Sequence, residues 1–181
     1  MDMQAAVVGL VPGAPEITSK VAKAITHARA QGIPVIYVVV GFRPGMPEVS
    51  EQNKIFGASK KRAADMKVSV PMHIDESVQP LESEIIITKR RMSAFTGSDL
   101  DVVLRALGCR HLVLTGIATS GVVLSTLREA ADKDFHLTVL SDGCADPVQE
   151  VHDMLIARIF PPQAAVLSVE EWSATDPVKS H

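Results

Sequence analysis

Apolar residues recur along this chain in two rhythms that take turns. At Ile17, Val21, Ala24, Ile25 and Ala28 they fall three or four positions apart, the stripe of a helix packed on one side, and Gly32 followed by Pro34 ends it. Residues 34–40 (PVIYVVV) are then continuously apolar and β-branched, as a strand covered on both faces requires. Residues 84–88 (EIIIT) repeat that logic. Leu100, Val103, Leu104 and Leu107 form a second helical stripe with Gly108 just past its end, and residues 111–115 a third strand. A helix over 121–133 and a strand over 137–141 follow. Asp146-Pro147-Val148-Gln149 reads as an N-cap, a proline at the first helical position and a reciprocal glutamine, opening a helix that turns Val151, Leu155 and Ile159 inward. Residues 164–169 are a last strand. Strand–helix units of this length predict an α/β fold with a parallel sheet and helices on both faces.

One connection breaks the regularity. Residues 41–83 join two strands, far beyond the ~15 residues at which a connection tends to be a lid or binding loop. The connection leaves the carboxyl edge of a strand, where open α/β sheets bind ligands, so Arg43 is a candidate for gripping a substrate carboxylate. Its plain alternative is a solvated loop arginine. Lys60, Lys61 and Arg62 read as a solvated face.

Composition narrows the class. The 181 residues fit one domain, 1–181, and a net charge of -3 gives no electrostatic case for nucleic acid or an anionic membrane. No apolar run approaches the ~18 residues of a membrane span and no signal peptide opens the chain, so a cytoplasmic location is expected. Cys109 and Cys144 are too few for a disulfide framework. The histidines (His27, His73, His111, His136, His152, His181) include no HxH or HxxxH pair, so neither a metal nor another cofactor is expected.

The densest chemical signal is the stretch 115–128, TGIATSGVVLSTLR. A strand runs into a small, polar turn and from there into a helix, which presents backbone N–H groups and the positive helix end at one point. That geometry holds oxyanions and carboxylates, and a hydrolase would place Ser or Cys there. Val122 and its neighbours supply no thiol.

Taken in order, Asp2-Met3-Gln4, the K-x-x-x-S-A-F segment from Lys89 to Phe95 with GSDL after it, TGIAT…STLR and the DGCAD…H segment resemble the isochorismatase-like hydrolase superfamily nearly end to end. The resemblance implies a six-stranded, doubly wound, mostly parallel Rossmann-like sheet. It places Asp2 on the family's acid/base carboxylate, Lys89 on the lysine beside it and Val122 on the cysteine. An ammonium beside an aspartate stabilises the carboxylate or developing negative charge in a partly dry pocket. The resemblance also implies a non-proline cis bond between Ile117 and Ala118. Around it, Thr119 and the N–H groups of Gly121 and Val122 would line the substrate site, and Phe95 would wall it or pack in the core. His152 is expected at a cap or on the surface, and Trp172 in packing or oligomer contacts. Homodimers or homotetramers acting on a small molecule are the family habit.

Two departures shape the functional expectation. Valine at the cysteine position closes the thioester route, unless Cys144, after strand 137–141 at the same edge, serves instead. The expected chemistry is thiol-free hydrolysis of a small, carboxylated substrate at a vinyl-ether or C–N bond. The alternative is an inactive member that binds ligands or scaffolds an oligomer. The second departure is the truncated first strand: the resemblance implies a central apolar strand before the aspartate, whereas Met1 alone precedes Asp2 here, so either the translation start is placed too far downstream, the favoured expectation, or the chain lacks that strand. Residues 5–11 (AAVVGLV) fit a strand by pattern, yet that would leave Asp2 at its wrong end.

Overall fold

The alternation read from the sequence is realised as two parallel sheets that meet across a short N-terminal stub. The computed structural model describes residues 1–66 and 73–175; His181 and the last residues of the expected domain lie outside them. Among the described residues the strands are β1 (Ile36–Val40), β2 (Ile85–Lys89), β3 (His111–Ile117), β4 (His136–Ala145) and β5 (Ala165–Leu167). β1 pairs with β2, and β3-β4-β5 form the second sheet. The single six-stranded sheet is therefore corrected to five strands in two sheets. Among the described residues β1 and β3 do not pair with each other, and Met1 and Asp2 run between them: Asp2 N donates to Val38 O (2.8 Å), the Met1 amino group to Thr115 O (3.0 Å), and Ile117 N to Met1 O (3.3 Å).

The helices are α1 (Ala5–Val8), α2 (Ala14–Ala30), α3 (Lys54–Met66), α4 (Leu100–Ala106), α5 (Leu124–Ala131), α6 (Gln149–Met154) and α7 (Val169–Ser173). Residues 5–11, strand-like by pattern, begin instead with α1. α2 buries Val21, Ala24 and Ala28 and stops where Gly32 adopts φ +68°, as its stripe predicts. α4 buries Leu100 and Leu104, with Gly108 at φ +66° beyond its end.

Boundaries move where polar side chains find distant partners. The expected cap of α6 does not form: Val148 is the N-cap, and the Asp146 carboxylate accepts from Ser120 N (2.8 Å) as well as Val148 N (3.2 Å). The helix expected over 121–133 begins as a π-helical turn, Thr119–Val123, before α5. β4 outruns the expected 137–141. The strand expected over 164–169 stops at Leu167 because Ser168 and Glu171 form a capping box that starts α7.

Ile87, Ala94, Phe95, Val122, Leu127, Val139, Cys144 and Phe160 share one buried apolar cluster beneath the carboxyl edge. Trp172 packs in another, edge-on to His27 with ring centroids 5.0 Å apart.

Candidate active site

Strand direction brings the chemistry together. Because the strands are parallel, the end of β2 (Lys89) and the turn after β3 open at one edge, and the stub's hydrogen bonds to Val38 and Thr115 set Asp2 there. Lys89 is 1% exposed. Its Nζ lies 2.9 Å from Asp2 Oδ2 and donates to Arg91 O at 2.9 Å. Asp2 is itself buried, and its Oδ1 has no hydrogen-bond partner among the described residues. Burial pushes the Asp2 carboxyl above its ordinary range, against the pull of the Lys89 ammonium. Asp2 also sits at φ +53°, a left-handed conformation tolerated by Asp better than by most residues.

The stub is held on several sides. The Gln4 side chain accepts from Val40 N (2.9 Å) and donates to Val40 O (3.2 Å), doing for the end of β1 what a backbone neighbour would do. Ala5 N donates to His73 O and Asp75 N to Met3 O. Gly116 makes room for it: a Cβ there would lie 2.3 Å from Met1 O.

The turn after β3 carries a cis peptide between Ile117 and Ala118, in line with the sequence expectation. Thr119 and Val122 are fully buried. The N–H of Gly121, expected to face the substrate, donates to Ala118 O (3.1 Å), because the π turn folds its backbone onto itself. Two clamps fix this turn. Ala94 N donates to Thr126 Oγ1 (2.9 Å), tying the S-A-F segment to α5. From the other side Asp146 takes Ser120 N, and His152 Nδ1 lies 2.8 Å from Thr119 Oγ1.

His152 is therefore half-buried against the turn rather than solvated, and burial holds its imidazole below the ordinary value. Asp146 stays below its ordinary range: burial pushes it up, and the bonds from Ser120 and Val148 outweigh that. The reading as cap or surface residue missed His152. The DGCAD…H spacing was the available signal, and only the fold brings it against Thr119.

Other expected site residues are placed elsewhere. Phe95 belongs to the core cluster and stacks on Phe135 at 6.2 Å, under the Lys133 ammonium, because the S-A-F segment is drawn in by Thr126. Arg43 is exposed and its guanidinium meets Glu48 at 2.8 Å, as an arginine does when a carboxylate sits five residues along the same loop. Cys144 is 1% exposed and burial pushes its thiol up to about 12, which withholds the thiolate a nucleophile needs. Lys61 and Arg62 are exposed, and Lys60 donates to Val49 O.

Parallel α/β sheets, a buried carboxylate–ammonium pair at the end of β2 and a strand-to-helix turn after β3 make up the site. The chain belongs to the isochorismatase family: the isochorismatase domain matches residues 1–171. It is 32% identical over 174 residues to the isochorismatase family protein YecD of Escherichia coli O157:H7, covering 94% of this chain and 90% of that one. It is 36% identical over 142 residues to the ureidoacrylate amidohydrolase RutB of Yersinia enterocolitica, covering 72% of this chain and 61% of RutB's length. In structure it is similar to an isochorismatase family protein from Burkholderia thailandensis, with a TM-score of 0.81 at 28% identity over 96% of this chain and 90% of that one. Among the described residues no helix is long and apolar enough to cross a membrane.

Proposed function

We propose that this isochorismatase-family hydrolase works without a thiol, with Asp2 passing a proton to and from a small carboxylated substrate and Lys89 steadying the charge that forms. The observation that carries the reading is the buried Asp2–Lys89 pair with Asp2 Oδ1 unbonded among the described residues. One carboxylate oxygen is held by the ammonium, so the other is the acceptor, or in its acid form the donor, for a bound molecule. Burial pushes the Asp2 carboxyl above its ordinary range, the direction a general acid requires.

Valine at position 122, and a Cys144 thiol whose pKa lies far above neutrality, disfavour the acyl-enzyme route. A vinyl ether suits the remaining groups: Asp2 protonates the alkene carbon, water adds to the resulting cation, and the hemiketal releases an alcohol and a keto acid. Amide hydrolysis, suggested by the RutB relatives, would need water activated by the Asp2 carboxylate in place of a thiol. The setting is a cytoplasmic homo-oligomer.

The first assay is keto-acid release from isochorismate by this chain and its Asp2→Asn variant, alongside thermal melts with small carboxylates. Release that disappears in Asp2→Asn supports the reading. Equal release by both proteins overturns it. A rise in Tm with a carboxylate but no turnover of ether or ureido substrates would favour a ligand-binding role instead.

A further inference from the structure

The segment that runs from Asp146 to His152 meets the strand-to-helix turn at two adjacent residues. Asp146 Oδ2 accepts from Ser120 N at 2.8 Å, and His152 Nδ1 lies 2.8 Å from Thr119 Oγ1. In the first contact the N–H must donate and the carboxylate accept. In the second, distance leaves two polarities open, because a hydroxyl and an imidazole nitrogen can each donate or accept. The surroundings choose between them. Thr119 is fully buried, and its hydroxyl has no other hydrogen-bond partner among the described residues. A proton on Nδ1 would turn the ring into the donor and leave the hydroxyl hydrogen in a dry site with no acceptor. A hydroxyl that donates to Nδ1 leaves no such orphan. Nδ1 is therefore the acceptor, and the half-buried ring carries its hydrogen on Nε2.

That polarity exists only in the neutral ring. Protonation takes the Nδ1 lone pair that Thr119 uses. Burial opposes the proton and holds the imidazole below its ordinary value, while Asp146 from the loop after β4 and Asp153 on α6 favour the charged form. Asp153 also accepts from the Gln149 amide at 2.8 Å. The other charged residues of α6 and of the turn 155–159 that continues it, Glu150 and Arg158, are exposed, and residues 119–123 carry no charge. Asp146 is held below its ordinary range, so the Ser120 contact persists at a pH where the Thr119 contact is lost. Thr119 follows Ile117 by two residues, and Ile117 N donates to the carbonyl of Met1, the residue before Asp2. A shift of the turn is passed on next to the Asp2–Lys89 pair.

We propose that His152 is a positioning residue: its neutral ring takes the Thr119 hydroxyl hydrogen at Nδ1 and so holds the 119–122 turn in the shape that receives substrate, and its protonation releases Thr119. The use of the turn by substrate rests on the hydrolase reading. The clamp and its polarity do not.

Nitrogen-15 spectra of the full chain, labelled at histidine and assigned with His152→Asn, test the polarity. At pH 7.5 His152 is expected to show a bare Nδ1 and a protonated Nε2, and a protonated Nδ1 overturns the proposal. As the pH falls through the His152 midpoint, the backbone amides of Thr119 and Gly121 are expected to shift with that midpoint in the parent and in Thr119→Ser. They should not do so in Thr119→Val, which keeps the shape but has no hydroxyl; equal shifts there overturn the clamp. The first arm needs no change at Thr119 and stands even where Thr119→Val fails to fold. With isochorismate as substrate, kcat/KM of the parent and of Thr119→Ser should fall below the His152 midpoint. Thr119→Val should begin about 10- to 100-fold lower at pH 7.5 and lack that acid limb. An unchanged limb in Thr119→Val overturns the positioning role. Absence of turnover in the parent, with both spectroscopic results as expected, fails the hydrolase reading and leaves the clamp supported.

Discussion

Replacing Lys89 with methionine removes the ammonium while keeping the shape of the side chain, and it isolates what the buried pair does. The Asp2 carboxylate then loses its ion-pair partner in a site that holds it 7% exposed, and Arg91 O loses its donor. Asp2 relieves the first loss by taking up a proton. A carboxyl with the ordinary pKa of 3.8 lies about 3.2 pH units below neutrality, so neutralising it at pH 7 costs at most about 4.4 kcal/mol at ~1.36 kcal/mol per unit. Burial already raises that pKa, which lowers the cost, and the orphaned carbonyl adds about 1 kcal/mol. The expected destabilisation is about 3–4 kcal/mol at pH 7, in the range for breaking a buried pair from one side, or a fall in Tm of roughly 6–16 °C for a chain of this size.

The pH dependence has a definite sign. Lys89→Met raises the folded-state pKa of Asp2 further, and a raised carboxyl favours the folded state at low pH and loses that benefit as pH rises. The gap between the two proteins should therefore be widest near neutrality and narrow as pH falls, because protonating Asp2 removes the ion pair from the parent as well. Thermal melts of the protein and the variant at pH 7.5, 6.0 and 4.5 measure it. A gap that stays constant over this range, or one below about 1 kcal/mol at pH 7.5, would refute the assignment of Asp2 and Lys89 as a coupled buried pair.

Three further perturbations test neighbouring features. Gly116→Ala drives a methyl to within 2.3 Å of Met1 O at a φ of +147°; it should displace the stub and cost about 2 kcal/mol or more, read as a lower denaturant midpoint with an unchanged slope. With its thiol buried and pushed up to about 12, Cys144 should resist iodoacetamide in the native protein at pH 7.5 and label only on unfolding, which peptide mass spectrometry resolves; rapid native labelling would reopen the thiol route. His152 is held neutral by burial, so the unfolded chain takes up its proton first and the folded state loses stability as pH falls through the ordinary 6.5. His152→Gln should flatten stability between pH 7 and 5 relative to the parent, and an unchanged slope would contradict a buried neutral imidazole.

Much of this architecture was legible as periodicity. The β-branched run in 34–40 and the stripes at Val21–Ala28 and Leu100–Leu104 each declare an element, because a fully covered strand and a half-covered helix bury different spacings of side chain. Glycines at 32 and 108 marked helix ends for an equally local reason: each adopts a positive φ. The motif order carried the family, and with it the pairing of Asp2 and Lys89 from opposite ends of 87 residues of chain. Local patterns erred where a polar side chain had a choice of partner. Asp146 looked like a cap for its own helix, yet it reaches back to Ser120 N. His152 looked solvated but meets Thr119, and Arg43 is taken by Glu48.

The sequence by itself determined which segments are strands and which helices, where most of them end, and which residue types stand at the carboxyl edge, since these follow from spacing and backbone freedom over a few residues. Tertiary structure alone decided that β1 and β3 belong to separate sheets, that one oxygen of Asp2 has no partner among the described residues, and that the 118–122 turn is clamped from both sides. Those outcomes depend on which distant groups compete for the same hydrogen bonds and the same dry volume, and that competition is settled only when the chain is packed.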